Sequence, residues 1–410
     1  MHSLATADAE RIASQEALVT PNPLLGVFFH WLGGLAAGSF YVPYRGVRNW
    51  AWETYWLVGG FFSWILVPWV VGLSMTRDLI PTLHQAPSSA LIWTYVFGAL
   101  WGLGGLTFGL TMRYLGMSLG MAMVLGYDAA FGTLMPPIFR GQFYSKVVGT
   151  TSGRVVLLGV AVCLVGIAAS GIAGISKERE LSSAQKRAVI KEFDLKRGLL
   201  VAVFSGVMSA CFAFGLAAGD PIKQITIAHG TNPLWQGLPV LVVLLFGGFT
   251  ANAIWCVTLN IRNGTGHEYF SSAVCEQADQ LETGAMLETV NGAPGREMAS
   301  ATAVAVLVKA EPERVPMLSN YFFSALAGTT WYMQFFFYTM GETKMGVYKF
   351  SSWTLHMASI IIFSTLWGVA LHEWRGSSKR TIYLVVLSLV VLIASTVIVG
   401  YGNYLGIGPR

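Results

Sequence analysis

Ten uninterrupted apolar stretches organise the chain: 24–44, 54–74, 90–111, 114–138, 154–174, 198–218, 236–259, 318–340, 351–371 and 382–402. A helix needs roughly 20 apolar residues to cross a hydrocarbon core ~30 Å thick. No water is available there to satisfy an open backbone. The runs therefore predict an all-α polytopic membrane protein with ten transmembrane helices. They are continuous rather than alternating with period two, which argues against a β-barrel. Charge agrees. Lys, Arg, Asp and Glu make up 11% of the 410 residues, against roughly 25% in a soluble domain. That is too little to coat a water-soluble globule. A soluble enzyme, a nucleic-acid-binding domain and a disulfide-rich secreted scaffold are excluded.

The net charge of +5 calls for no nucleic-acid partner, because basic loops on one membrane face give the same excess. Three of the four cysteines, Cys163, Cys211 and Cys256, lie in apolar runs, with Cys275 outside them. No CxxC or Cys/His cluster exists, so neither a disulfide framework nor a metal site is implied. Acidic residues Asp8, Glu10 and Glu16 precede the first run, so the tail 1–23 is not read as a cleavable export signal.

Seventeen of the 26 Lys and Arg fall in the loops after runs 1, 3, 5, 7 and 9. The segment 176–197 alone holds seven of them. The positive-inside rule places it in the cytoplasm and both termini outside. It divides the chain into five runs (24–174) and five runs (198–405), joined by a basic linker over 175–197. An odd number of spans per half forces opposite orientations, the arithmetic of an inverted repeat. The stretch 260–317, with eight Asp and Glu against four Lys and Arg, reads as a long mobile loop, with a short surface helix over 297–309. Glycine pairs four residues apart (Gly34/Gly38, Gly98/Gly102, Gly105/Gly109, Gly116/Gly120 and Gly215/Gly219) predict close helix crossings.

The residues also match a known family. FFHWLGGLAAGSFYVPYRGVRNWAWETYWLVGG in runs 1 and 2, GALWGLGGLTFGLTMRYLGMSLGMAM in runs 3 and 4, WYMQFFFY in run 8 and SSWTLHM in run 9 resemble the L-rhamnose/proton symporter family of the drug/metabolite transporter superfamily. The resemblance covers roughly 24–260 and 318–405. It implies ten helices in a bacterial cytoplasmic (inner) membrane and import of L-rhamnose or a related deoxy sugar by proton symport. It implies no cofactor beyond the proton as coupling ion, and no obligate protein partner. Asp128 stands where the resemblance leads one to expect a neutral residue, and Lys349 where it leads one to expect an acid.

A transporter needs a polar, aromatic-walled pocket near the midplane and a group whose charge changes during the cycle. Asp128 lies halfway along run 4. An ionised carboxylate there costs roughly 2.5–3.5 kcal/mol, which makes it a candidate proton site. His30 and His356 sit six and five residues into runs 1 and 9, at equal depth, and are candidates for both proton coupling and sugar contact. Trp331, Gln334, Phe335 and Tyr338 share one face of run 8 at i, i+3, i+4 and i+7. Trp331, Gln334 and Tyr338 are taken as sugar contacts, and the phenylalanines as packing. Trp101, among Gly98, Gly102, Gly104 and Gly105, has room to project into a cavity. Tyr41 is placed along the inner path. Asn252 suits an interhelical hydrogen bond as well as a ligand contact. Glu53 with Arg45 or Arg113 makes a candidate gate salt bridge. The alternative for that end is interfacial anchoring, with Trp50, Trp52 and Trp56 in an aromatic belt. No HExxH motif or Walker loop is present, so the chain reads as no enzyme and no primary pump. Two other readings of the same sequence are an exporter or exchanger of another small metabolite, and a membrane sensor or assembly partner without net transport.

Overall fold

The computed structural model describes residues 20–115, 117–180, 194–272, 314–372 and 374–407, apart from the side chains at 112, 113, 117, 118 and 347. The Arg113 side chain, most of the acidic loop with its expected 297–309 helix, and the middle of the basic linker thus lie outside the described residues.

The helices start where caps stop the chain. Asn22 accepts a hydrogen bond from the Leu25 amide at 3.1 Å and Pro23 opens α1, Pro23–Ser39. Asp194 caps α6, Leu195–Ala218, and Ser378 caps α10, Lys379–Leu405. Such caps satisfy first-turn amides that have no partner within the helix. The other long helices are α2 (Trp52–Met75), α3 (Ser88–Leu115), α4 (Met117–Phe139), α5 (Thr151–Glu180), α7 (Leu238–Asn263), α8 (Met317–Lys344) and α9 (Ser352–Ala370). Within α2 the helix widens to a π turn over Phe62–Leu66, just ahead of Pro68. A proline has no N–H for the carbonyl four residues back, and the wider turn absorbs that mismatch. Short helices follow α1 and α6, at Tyr41–Tyr44 and Asp220–Ala228.

Among the described residues, nine helices are long and apolar enough to cross a membrane. The exception among the ten expected runs is α8. It has 28 residues, about 42 Å of helix at ~1.5 Å per residue, but its glycines, threonines and tyrosines dilute its hydropathy. It packs centrally, against α1 and α2, and one of its faces is buried from Asn320 to Thr343. Helix α3 runs along α6 and α7, α5 along α10, α1 along α8 and α9, α2 against α7, and α4 against α5, α6 and α9. Large apolar side chains such as Leu200, Ile254, Val390 and Val397 point outward, as lipid-facing residues do. Hydroxyls such as Ser205, Thr133, Thr354 and Ser359 are buried inside.

Gly116 of the Gly116/Gly120 pair lies outside the described residues, and the other glycine pairs divide into two groups. A Cβ at Gly98 of α3 would overlap the Leu244 carbonyl of α7, and one at Gly328 of α8 would overlap the Gly59 carbonyl of α2. Gly34 meets Ser359, Gly38 meets Phe363 and Ser364, and Gly215 and Gly219 meet Leu244 and Val240. At Gly105 and Gly109 nothing lies within 4 Å, so this pair makes no crossing, contrary to expectation. Four-residue spacing marks a face that permits close approach; it does not supply a neighbour. Gly98→Leu or Gly328→Leu is expected to abolish the monodisperse peak in detergent size-exclusion chromatography. Gly105→Ala should leave that peak intact, and loss of the peak there would contradict the assignment.

Candidate functional site

Four of the residues expected to act together converge, and Trp353 joins them. His30 of α1 and His356 of α9 face each other with ring centroids 6.5 Å apart. Tyr338 of α8 sits edge-on to both, at 5.2 Å from each. Trp353, one turn before His356, packs 5.5 Å from Tyr338. Its indole N–H donates to the Asp128 carboxylate at 3.0 Å and contacts the Asp128 carbonyl oxygen at 3.2 Å. All five are at least 95% buried. The sequence makes room for them with glycine. A Cβ at Gly132, one turn after Asp128, would overlap the Trp353 ring. One at Gly341 would lie 2.8 Å from His30, and one at Gly33 would lie 3.3 Å from His356. Ser359 donates to the His30 carbonyl at 2.9 Å and fixes α9 on α1.

Polar capacity in this cluster exceeds what the protein uses. Both ring nitrogens of His30, Nδ1 of His356 and Nε2 of Gln334 are buried and have no hydrogen-bond partner among the described residues. Buried polar groups are satisfied in the great majority of cases, and leaving one open costs roughly 1–3 kcal/mol. Three neighbouring helices therefore offer donors and acceptors for a polar guest.

An aromatic column continues from the cluster toward the opposite end of the bundle. Phe212 stacks on Trp353 (5.6 Å) and on Phe335 (4.8 Å). Trp101 meets Phe335 edge-on at 5.4 Å. Trp64 links Trp101 to Trp331, and Trp331 lies 5.1 Å from Trp56 and stacks on Phe40 at 4.5 Å. Trp101 projects into this column as expected, with its ring over Gly248. Tyr41 lies at the far end, more than half exposed and stacked on Trp56. Phe335 belongs to the column wall, beside the other column aromatics.

The expected gate end looks different. Glu53 is buried, but its carboxylate accepts from Asn263 and Thr265, each at 2.9 Å. Arg45 is exposed and forms no ion pair with Glu53 among the described residues. Both neutral donors meet the Oε1 oxygen of Glu53, where the expected gate would have placed an arginine. Trp56 is no membrane-interface anchor either. It is buried and donates to Asn252 at 3.1 Å, and the Asn252 amide donates to the Gly248 carbonyl. Asn252 thus links α7 to α2 through its oxygen and bonds its own helix through its amide nitrogen.

The charge is concentrated at the other end, on the face that carries the start of α1 and the end of α10. A vestibule of about 500 Å³ opens there, lined by Pro21, Arg140, Lys146, Asp220, Lys349 and Asn403 among others. That volume falls in the ~300–1,000 Å³ range of ligand pockets. Arg140 pairs with Asp220 at 3.1 Å, Asp220 with Lys223 at 3.1 Å, and Lys223 with Glu342 at 3.3 Å. Below lies a cavity of about 60 Å³ that reaches Tyr338. Sequence reasoning missed this chain of charges, and Trp353 as the partner of Asp128. A signal existed: Asp220 and Lys223 stand i, i+3 beside Pro221 at a helix start, and Glu342 follows Tyr338 by one turn. Charges at the ends of apolar runs look solvated until the fold folds them inward.

A family model described as L-rhamnose-proton symport protein matches residues 20–273 and 297–404 of the chain. The chain is 35% identical over 383 residues to the L-rhamnose-proton symporter of Pectobacterium atrosepticum, a match spanning 93% of this chain and 98% of that protein. It is 34% identical over 380 residues to the L-rhamnose-proton symporters of Yersinia pestis and of Mannheimia succiniciproducens, spanning 92% of this chain and 98% of each. Only 274–296 falls between the matched segments, a narrower interruption than the 260–317 loop expected.

Proposed function

The chain belongs to the L-rhamnose-proton symport protein family, and from that premise we propose that it imports L-rhamnose or a related deoxy sugar together with protons. Its place is the bacterial inner membrane, with both termini outside. The observation that carries the site assignment is the buried, unpartnered polar set from α1, α8 and α9 around Tyr338. A sugar presents hydroxyls to His30, His356 and Gln334, and C–H faces to Tyr338 and the column led by Trp331 and Trp101. Asp128, His30 and His356 are the titratable groups at that depth, and they take up and release the coupling proton. The vestibule on the face of the termini leads toward Tyr338, which fits loading from outside.

Ten crossings arranged as two inverted five-helix repeats best account for the packing. Exchanging α1 with α6, α2 with α7, α3 with α8, α4 with α9 and α5 with α10 maps the helix pairs onto one another. The α3–α6 pair becomes α8–α1, α3–α7 becomes α8–α2, and α4–α6 becomes α9–α1, while α5–α10 and α4–α9 map onto themselves. The glycine crossings at Gly98 and Gly328 correspond in the same way, as do the short helices after α1 and α6. Alternating access then consists of the repeats rocking about the central site.

Uptake of labelled L-rhamnose by cells lacking their own transporter should be abolished by a protonophore. No uptake at confirmed membrane expression would reject this substrate. Asp128→Asn should remove accumulation against a gradient and spare exchange of sugar across the membrane. Equal loss of both would make Asp128 structural. Trp353→Phe keeps the ring but removes the donor to Asp128. Sugar accumulation should fall roughly tenfold or more, the effect of losing a hydrogen bond to a charged group, at unchanged expression. Accumulation at the parent level would show that this hydrogen bond plays no part in coupling.

A further inference from the structure

We propose that the Arg140–Asp220 ion pair is the gate between the vestibule and the site, with Lys223 and Glu342 anchoring its second-repeat side. The proposal rests on the transporter reading above.

The two cavities adjoin at a constriction. Pro136, Arg140, Asp220, Lys349 and Phe350 contribute to the walls of both. On one side lies the vestibule of about 500 Å³, and on the other a cavity of about 60 Å³. The inner cavity has room for a few waters at most and is too small for a hexose. A sugar moving from vestibule to Tyr338 must therefore pass between Arg140 and Asp220, and the inner space must enlarge to receive it. The pair crosses between the two halves of the chain: Arg140 follows the end of α4, and Asp220 begins the short helix after α6. Its separation thus accompanies any rocking of one half against the other.

The anchoring is built differently on each side. Arg140 and Asp220 have side chains about half exposed, at 50% and 45%, so their contact is reversible and weak, as solvated ion pairs are. Lys223 has a side chain only 10% exposed and is held by both Asp220 and Glu342. Breaking that buried contact would strand a cation, so Asp220 stays with Glu342 and α8 while Arg140 lets go. Glu342 is one turn beyond Tyr338, so α8 carries both the gate anchor and a wall of the site. Lys349, exposed at the same constriction, is a second cation able to meet Asp220 when Arg140 leaves.

The test uses the full-length protein with Ala217→Cys, a position lining the inner cavity. The rate of modification by a charged, membrane-impermeant thiol reagent is measured in unsealed membranes, minus the rate without the new cysteine. Cys163, Cys211 and Cys256 are buried. Arg140→Gln should speed labelling roughly 1.5-fold to fivefold, the range of one exposed ion pair. Arg140→Gln with Lys349→Gln should speed it further, and the exchange Arg140→Asp with Asp220→Arg should return it toward the starting rate. Equal rates in the parent and in both neutralised variants would overturn the proposal. So would fast labelling in the parent. The readout needs no sugar, so a failure of rhamnose uptake leaves it intact, and size-exclusion profiles identify a variant that has misfolded.

Discussion

Asp128 is a carboxyl group halfway along a helix that crosses hydrocarbon, and the Trp353 indole holds it there at 3.0 Å. The magnitudes are comparable. A carboxylate at such depth costs roughly 2.5–3.5 kcal/mol, and a hydrogen bond to a charged group returns roughly 1.5–3. The hydrogen bond therefore offsets most of the cost of holding the acid at that depth. The same indole ties α4 to α9 at the bundle centre, stacks on Phe212 and fixes the start of the turn that presents His356. Gly132 exists to admit it.

From that point the interior is organised by contrast. Small residues on α1, α4 and α8 let rings lie close to backbone, so the walls of the site are aromatic and tightly packed. The polar atoms inside those walls are left with open valences. Packing fixes the cluster's position, and the open valences define what it can receive. The Arg140–Asp220 ion pair lies apart from it, at the vestibule, where both side chains are about half exposed. Glu53, by contrast, accepts from Asn263 and Thr265 at the other end and holds structure in place.

Much of this was legible in the chain. Ten apolar runs gave the helices to within a few residues, because hydrocarbon leaves the backbone no other choice. His30 and His356 were brought to equal depth by counting along two runs of the same direction, and their rings do meet. The i, i+3, i+7 face of α8 contains Trp331, Gln334 and Tyr338 as read. What could not be read were contacts between runs distant in sequence. Trp353 is 225 residues from Asp128, and nothing local distinguishes it from Trp367. Trp56 looked like an interface anchor because its neighbours do, and only the fold turns it inward onto Asn252. Gly105 and Gly109 have the right spacing and no partner. Arg140, Asp220, Lys223 and Glu342 sit at run ends, where charge is ordinarily solvated.

The central claim is that sugar and proton share the buried cluster around Tyr338. It is tested most directly with a pH electrode in a lightly buffered suspension of de-energised cells. Adding L-rhamnose should turn the medium alkaline as protons enter with the sugar, and the signal should vanish with Asp128→Asn. Sugar entry with no movement of protons would contradict the account.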